Sequence, residues 1–400
     1  MRIGVCFFME SNLGGAGTQA DDLVTAAKRL GHEACLLRFT SLRRAHGLLD
    51  LSVPALPSHR LLIRRAGMKM ESNRILLTLE NVPKIVAWLN NFDLLLFVGG
   101  CPHITRNFQE SDFHNLYKPL YTKTKCHKVM FFTDPFWQKL YPYAKDVIGS
   151  MDRVYAFAEA YRRILLTSDL TKEVEICNFG SIAALSRSDK LGKGIFYRSS
   201  TDVIVWPHQW RSWKNPELLI RMAPYLERSV HAYADGIEYH KLRRDRPKEW
   251  KRAVEKDYTK EGQPPNPNGR VAIFGTVPQS EIMDAFATCR WMLDLTGMSG
   301  RTGKQMEKFV GNYQCVNIET MMLGCVNFKY ENTIKPYSQI PAECVIAMPL
   351  VTEPEELAKF INSNLYIDQY QKVATRAREW ALDKFNPLRV FKKCFVDPFK

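Results

Sequence analysis

Short apolar runs alternate along this chain with segments of helical spacing, and that alternation predicts its architecture. In the first half, residues 2–9, 33–39, 94–98, 129–133, 154–158 and 174–178 read as strands. Most are nearly continuous in apolar residues, as strands of a parallel sheet are when both faces are covered. Between them, residues 18–30, 82–91 and 160–167 carry apolar side chains at three- and four-residue intervals, for example Leu23, Val24, Ala27 and Leu30. Such spacing gives a helix one face for a core. The second half repeats the scheme, with strands at 202–206, 229–234, 271–274, 291–295, 325–328 and 344–347, and helices at 217–226, 281–288, 355–362 and 369–384. Strand and helix in alternation predict an α/β protein whose parallel sheets carry helices on both faces.

Two such series in 400 residues suit two domains, since single cores seldom grow past about 250–300 residues. The basic, Gly- and Ser-bearing stretch 181–201 is expected to be the linker, giving domains at 1–182 and 202–386. Asn386-Pro387 breaks the last long helix, and 387–400 is expected to form a further helix packed elsewhere, the first domain being one candidate surface. The arrangement predicted is two doubly wound domains facing each other across a cleft.

Polar residues at strand ends are then the candidates for chemistry, because ligands of doubly wound sheets bind outside the carboxyl ends of the strands. The stretch 313–330 places Glu319 on a helix that Gly324 closes, one turn before a strand. There a carboxylate can accept hydrogen bonds from the vicinal hydroxyls of a ribose; the alternative is the solvated face of an amphipathic helix. Trp206-Pro-His-Gln-Trp-Arg211-Ser-Trp-Lys214 follows the first strand of the second domain. Arg211 and Lys214 at that junction suit a diphosphate, whose charge develops as a nucleoside diphosphate leaves a sugar. Asp134, after the strand ending Phe132-Thr133, is a candidate to orient or deprotonate an acceptor hydroxyl, or else a helix cap ahead of Pro135. Trp137 beside it can stack on a base or fill a core. Asn178 ends the last strand of the first domain, where an amide can bridge the two domains. Ser280 and Glu281 open a helix and are a further candidate for donor binding, although capping alone explains Ser280. The turn containing Gly14, Gly15 and Gly17 joins a strand to a helix, a geometry that presents backbone N–H groups to an anion or simply makes a tight turn. It lacks the Lys-Ser/Thr of a P-loop.

Charge sharpens the question of partners. The formal net charge is +14 and the pI about 9.2, a balance that attracts nucleic acid or an anionic membrane surface. Residues 38–74 hold eight Lys/Arg, among them Arg43, Arg44, Arg60, Arg64, Arg65 and Lys69, against only Asp50 and Glu71. That cluster is either a solvated face or a phosphate-backbone footprint. The apolar runs are strand-sized, so no membrane span is expected. Seven uncharged residues between Arg2 and Glu10 fall short of a signal peptide, and a cytoplasmic protein is expected. Most of the ten cysteines sit inside apolar patterns and read as reduced core residues. No Cys/His spacing indicates zinc, and the sequence requires no cofactor, a divalent metal being possible but not indicated. Hydrolase, metalloprotease and kinase motifs are missing.

Taken in order, the islands Met1-Arg2-Ile3 with the glycine turn ending at Gly17, Gly31-His32-Glu33, Asp134, Asn178-Phe179, Trp213-Lys214 and Glu319 with Gly324 resemble the GT-B nucleotide-sugar glycosyltransferases, and more narrowly the DNA α-glucosyltransferases of T-even bacteriophages. The resemblance covers most of the chain at low identity. It implies two Rossmann-like domains, a UDP-sugar donor, and transfer with retention to the hydroxymethyl group of 5-hydroxymethylcytosine in duplex DNA, the base being flipped into the cleft. It further implies a monomeric phage protein in the host cytoplasm that protects DNA from restriction. On this analogy Lys214 and Arg211 hold the diphosphate, Glu319 the ribose, Gly14 to Gly17 line the reacting region and Asp134 faces the acceptor. The sequence departs from the pattern in three places. Arg211 is three rather than five residues before the lysine, Thr133 stands where a histidine precedes the aspartate, and 238–268 diverge. The donor is therefore open between glucose and a pentose such as arabinose. A glycosyltransferase of this fold acting on lipid or envelope glycan at a membrane surface is the alternative, for which 61–68 offers an apolar and basic segment.

Overall fold

The computed structural model describes residues 1–8, 15–41, 70–71, 74–99, 111, 113–133, 141–167, 173–191, 201–233, 236–262, 264–297, 315–334, 340–351 and 353–400. The chain divides into two units, Met1–Ile182 with Pro387–Lys400, and Ala183–Asn386.

The first unit is built on an eight-stranded sheet in the order β3-β4-β2-β1-β5-β6-β7-β8. Its strands are β1 (Arg2–Phe7), β2 (Glu33–Ser41), β3 (Met70–Glu71), β4 (Arg74–Leu77), β5 (Leu94–Val98), β6 (His127–Phe132), β7 (Arg153–Ala156) and β8 (Glu175–Ile176). All pairs are parallel except β3 with β4. The helices are α1 (Gly15–Arg29), α2 (Asn81–Leu89), α3 (Lys118–Thr122), α4 (Tyr141–Gly149) and α5 (Glu159–Thr167). Every side chain of β5 is buried, which is why its sequence, Leu-Leu-Leu-Phe-Val, shows no alternation.

The second unit carries a seven-stranded, wholly parallel sheet in the order β11-β12-β10-β9-β13-β14-β15. Its strands are β9 (Thr201–Trp206), β10 (Val230–Tyr233), β11 (Val254–Asp257), β12 (Val271–Gly275), β13 (Cys289–Asp294), β14 (Val326–Tyr330) and β15 (Val345–Met348). Its helices are α6 (Ile182–Leu191), α7 (Pro216–Met222), α8 (Ile237–Asp245), α9 (Pro247–Ala253), α10 (Gln279–Thr288), α11 (Cys315–Met322), α12 (Pro354–Asn362) and α13 (Ile367–Lys384). Trp206, Trp210 and Trp291 are the largest fully buried side chains of its core.

Besides β3 and β4, which the sequence did not predict, three stretches differ from the sequence expectation. The proposed linker begins as α6, a helix rather than an irregular connector. Ala184, Leu185 and Ser188 are buried, Arg187 pairs with Asp284 at 2.9 Å, and Arg378 donates to the Ser188 hydroxyl at 2.9 Å. These contacts, all within the second unit, outweigh the polar composition that suggested a linker. The divergent stretch 238–268 contains α8, α9 and the edge strand β11, held by Tyr239, Leu242 and Trp250 in the core. The final segment is not one helix: α14 (Pro387–Phe391) is followed by a π turn and a 3-10 turn. It lies in the first unit, where Phe395 meets Phe131 and Tyr155 edge-on at 6.0 and 5.5 Å. The described cysteines are all free thiols.

Candidate functional site

Strand order alone marks one place in the second unit. From β9 the chain runs outward to β10, β11 and β12, then returns to the other side of β9 for β13, β14 and β15. The carboxyl ends of β9 and β13 therefore flank the topological switch point, where doubly wound sheets bind their ligands.

The segment leaving β9 is fixed from inside. Trp210 is fully buried and packs edge-on against Trp206 at 5.2 Å and Tyr239 at 5.8 Å, pinning the loop to the core. Arg211 remains exposed, whereas Lys214, at the end of the 3-10 turn Ser212–Lys214, is only 5% exposed. The next residue turns the chain. Asn215 has φ +55° and ψ +47°, a left-handed conformation that asparagine tolerates better than most residues. Its Nδ2 donates to the Leu295 carbonyl at 2.6 Å, and its own carbonyl accepts the first backbone bond of α7, from Leu219 at 3.1 Å. Asn215 thus ties the end of β9's loop to the end of β13. Asn215→Ala is expected to cost about 2 kcal/mol, from left-handed strain and the lost hydrogen bond; urea unfolding of the variant measures it.

Between these ends lies a cluster of buried charge. Asp294, the last residue of β13, is paired in register with Lys329 of β14. Both side chains are almost inaccessible, with Lys329 Nζ 2.6 Å from Asp294 Oδ2. Asp294 also accepts from Asn317 Nδ2 at 3.1 Å and from the Thr296 backbone N–H at 3.0 Å. Burial alone would push the Asp294 carboxyl up, but Lys329, by charge and hydrogen bond, together with Lys214 outweighs it and holds it well below the usual carboxylate range. His208, fully enclosed, has its Nε2 3.6 Å from Asp294 Oδ1. Burial, with Lys214 adding to it against Asp294, lowers the imidazole to about 3, so the ring is neutral. Burial likewise lowers Lys214 to about 7, with Asp294 opposing and Lys329 reinforcing the shift. Its Nζ rests 4.1 Å from the centre of the Trp213 ring, a cation–π contact that favours the charged form.

Glu319 sits on α11, where residues Asn317–Met322 are all buried. The solvated amphipathic face considered for it is not there: Glu319 is 9% exposed, and the helix's polar residues face the interior. Asn317 and Thr320 bond to Asn327 of β14 at 3.2 Å each. Gly324, at φ +79°, closes the helix with a Cys325 N–H to Thr320 carbonyl bond of 2.8 Å, as glycine does after a helix end. Cys315, the first residue of α11, acts electrostatically on Lys214, so the helix begins beside the charged cluster.

The other expected residues fall elsewhere. Gly15 and Gly17 open α1 after β1, the strand next to β5 at the corresponding switch point of the first sheet. Asn178 is half-buried just after the edge strand β8. Ser280 is exposed in the first turn of α10, whose N-cap position is Pro278; it does not cap the helix as expected. Asp134, Trp137, Gly14, Arg43, Arg44, Arg60, Arg64, Arg65 and Lys69 lie outside the described residues. Sequence reasoning missed Asp294, Lys329, Asn317 and His208. A lysine inside Val-Asn-Phe-Lys-Tyr and an aspartate ending Trp-Met-Leu-Asp are charges in apolar strands, and that was the available signal.

Among the described residues, no group of three or more His, Cys, Asp or Glu is placed to hold a metal, and no helix is long and apolar enough to cross a membrane. No protein-family model matches the sequence, and no curated protein does. Solved structures do. An alpha-glucosyltransferase in complex with UDP-glucose and DNA containing an abasic site superposes with a TM-score of 0.67 at 14% identity, over 100% of this chain and 99% of that one. The same enzyme with UDP and a 13-mer DNA containing an HMU base gives 0.69 at 14% identity over the same shares. The fold is GT-B. HepE of Anabaena in complex with UDP shares it, with a TM-score of 0.61 at 12% identity over 98% of each chain. The switch point of the second sheet holds Arg211, Lys214 and the Asp294–Lys329 pair.

Proposed function

We propose that this protein is a retaining glycosyltransferase that moves glucose or arabinose from a UDP-sugar to the hydroxymethyl group of 5-hydroxymethylcytosine in duplex DNA. The observation that carries it is a nearly inaccessible lysine, flanked by Arg211, at the switch point of the second sheet. Burying an ammonium is costly unless an anion meets it, and a nucleoside diphosphate is the anion that GT-B neighbours hold. As the sugar–phosphate bond breaks, negative charge grows on the departing UDP. Lys214 and Arg211 stabilise that charge with fixed cations, so no metal need do so. Glu319 accepts hydrogen bonds from the ribose hydroxyls, and Asp134 orients the acceptor hydroxyl. The DNA acceptor is supported by two neighbours solved with DNA and by the net charge of +14.

Donor and acceptor are tested separately. Glu319→Ala is expected to raise the dissociation constant for UDP about 10- to 100-fold, the worth of charge-assisted hydrogen bonds, with an unchanged unfolding transition. Wild-type affinity would remove Glu319 from the donor site. Replacing Arg64 and Arg65 by Ser should lower the slope of log affinity against log salt by about 2 for duplex DNA. An unchanged slope would detach this patch from DNA and favour a membrane-surface acceptor.

A further inference from the structure

We propose that Lys214 and Lys329 share the single carboxylate of Asp294, and that a diphosphate entering this site supplies the second anion while Lys214 takes up a proton from solvent. The inference rests on the donor-site assignment above and adds a protonation change to it. The geometry sets the imbalance. Asp294 already contacts Lys329 Nζ at 2.6 Å and has accepted bonds from Asn317 and Thr296, so its capacity is largely used. Lys214 is 5% exposed and Lys329 1%, which leaves little water to solvate a second positive charge. The groups acting on Lys214 come from each element around it: Arg211 on its own loop, Asp294 on β13, Lys329 on β14 and Cys315 on α11, with the neutral His208 on the same loop. Among these described residues one carboxylate faces two enclosed amines and an exposed guanidinium. Trp213 offers its ring face to the Lys214 amine, a place for the cation once a phosphoryl group is present to balance it. The chemistry balances simply: the neutral amine and one proton from the buffer give the ammonium, and no covalent bond to the donor changes.

This holds a functional lysine near its titration range, where a charged ligand decides its state. Burial that brings Lys214 to about 7 leaves most of it neutral at about pH 8, while UDP's terminal phosphate, with its second ionisation near 6, is already fully charged. UDP binding measured by isothermal titration calorimetry in Tris and in HEPES at about pH 8 is expected to show uptake of close to one proton, falling to about half at pH 7. Lys214→Arg keeps the charge but cannot lose its proton, and its binding enthalpy is expected to show no such buffer dependence. UDP binding by the wild type with no buffer dependence at pH 8 would overturn the inference alone, as would uptake that persists in Lys214→Arg. Failure of the wild type to bind UDP would overturn the donor site itself, and the inference with it.

Discussion

Asp294→Asn is expected to destabilise the protein by about 3–5 kcal/mol near neutral pH, the usual result of removing one partner from a buried ion pair. The asparagine preserves shape but leaves the Lys329 ammonium, 1% exposed, without its counter-charge, and removes the same support from Lys214. Urea unfolding curves compare the variant with the wild type. The deficit should narrow as pH rises. With the carboxylate gone, the folded protein holds its lysine protons less tightly than the unfolded chain does, so stability increases with pH. Asp294→Asn combined with Lys329→Met should recover much of the loss, since replacing both members of a buried pair by groups of similar volume is often neutral. No recovery would mean that Asp294 acts chiefly through Asn317, Thr296 or Lys214 rather than through Lys329.

Lys214→Met is expected to do two things that a merely structural lysine would not do together: greatly weaken donor use and stabilise the fold. Removing a cation from a developing charge costs on the order of 100- to 1000-fold in rate. Bringing an ammonium from 10.5 to about 7 corresponds to roughly 5 kcal/mol that the native state spends on burying it. The sign follows from the direction of the shift. Because the folded pKa lies below the unfolded one, the cost is fully present below about pH 7 and is relieved as pH climbs toward 10.5. The gain from Lys214→Met should therefore be largest near pH 6 and small near pH 10. A variant less stable than wild type at pH 6 would make Lys214 a structural residue.

Much of the fold was legible because the parallel sheets are covered on both faces. The runs at β5 and at the end of β9 are apolar for that reason, and their neighbours alternate with helices of clear period. The edges were not legible. Val254-Glu-Lys-Asp257 forms β11 with two polar side chains left half-buried, a composition that reads as loop. The helix Ile182–Leu191 was hidden by Ser186, Arg187, Ser188, Asp189 and Lys190; of these, Arg187 meets Asp284 and Ser188 meets Arg378, partners that come from the second unit and not from local spacing. At the site, Arg211, Lys214 and Glu319 were readable as polar residues beside strand ends. Asp294 and Lys329 were not, because they stand 35 residues apart and meet only when β13 and β14 align in register. Yet it is this pair that surrounds Lys214 with enough charge and little enough water to make it respond to a ligand.

Mass spectrometry of nucleosides from a 5-hydroxymethylcytosine duplex, incubated with the protein and a panel of UDP-sugars, tests the central claim most directly. The account predicts a hydroxymethylcytosine heavier by one hexose or one pentose, with a single preferred donor, and far less product from Lys214→Met. Unmodified nucleoside with every donor, from protein that binds both UDP and the duplex, would contradict it.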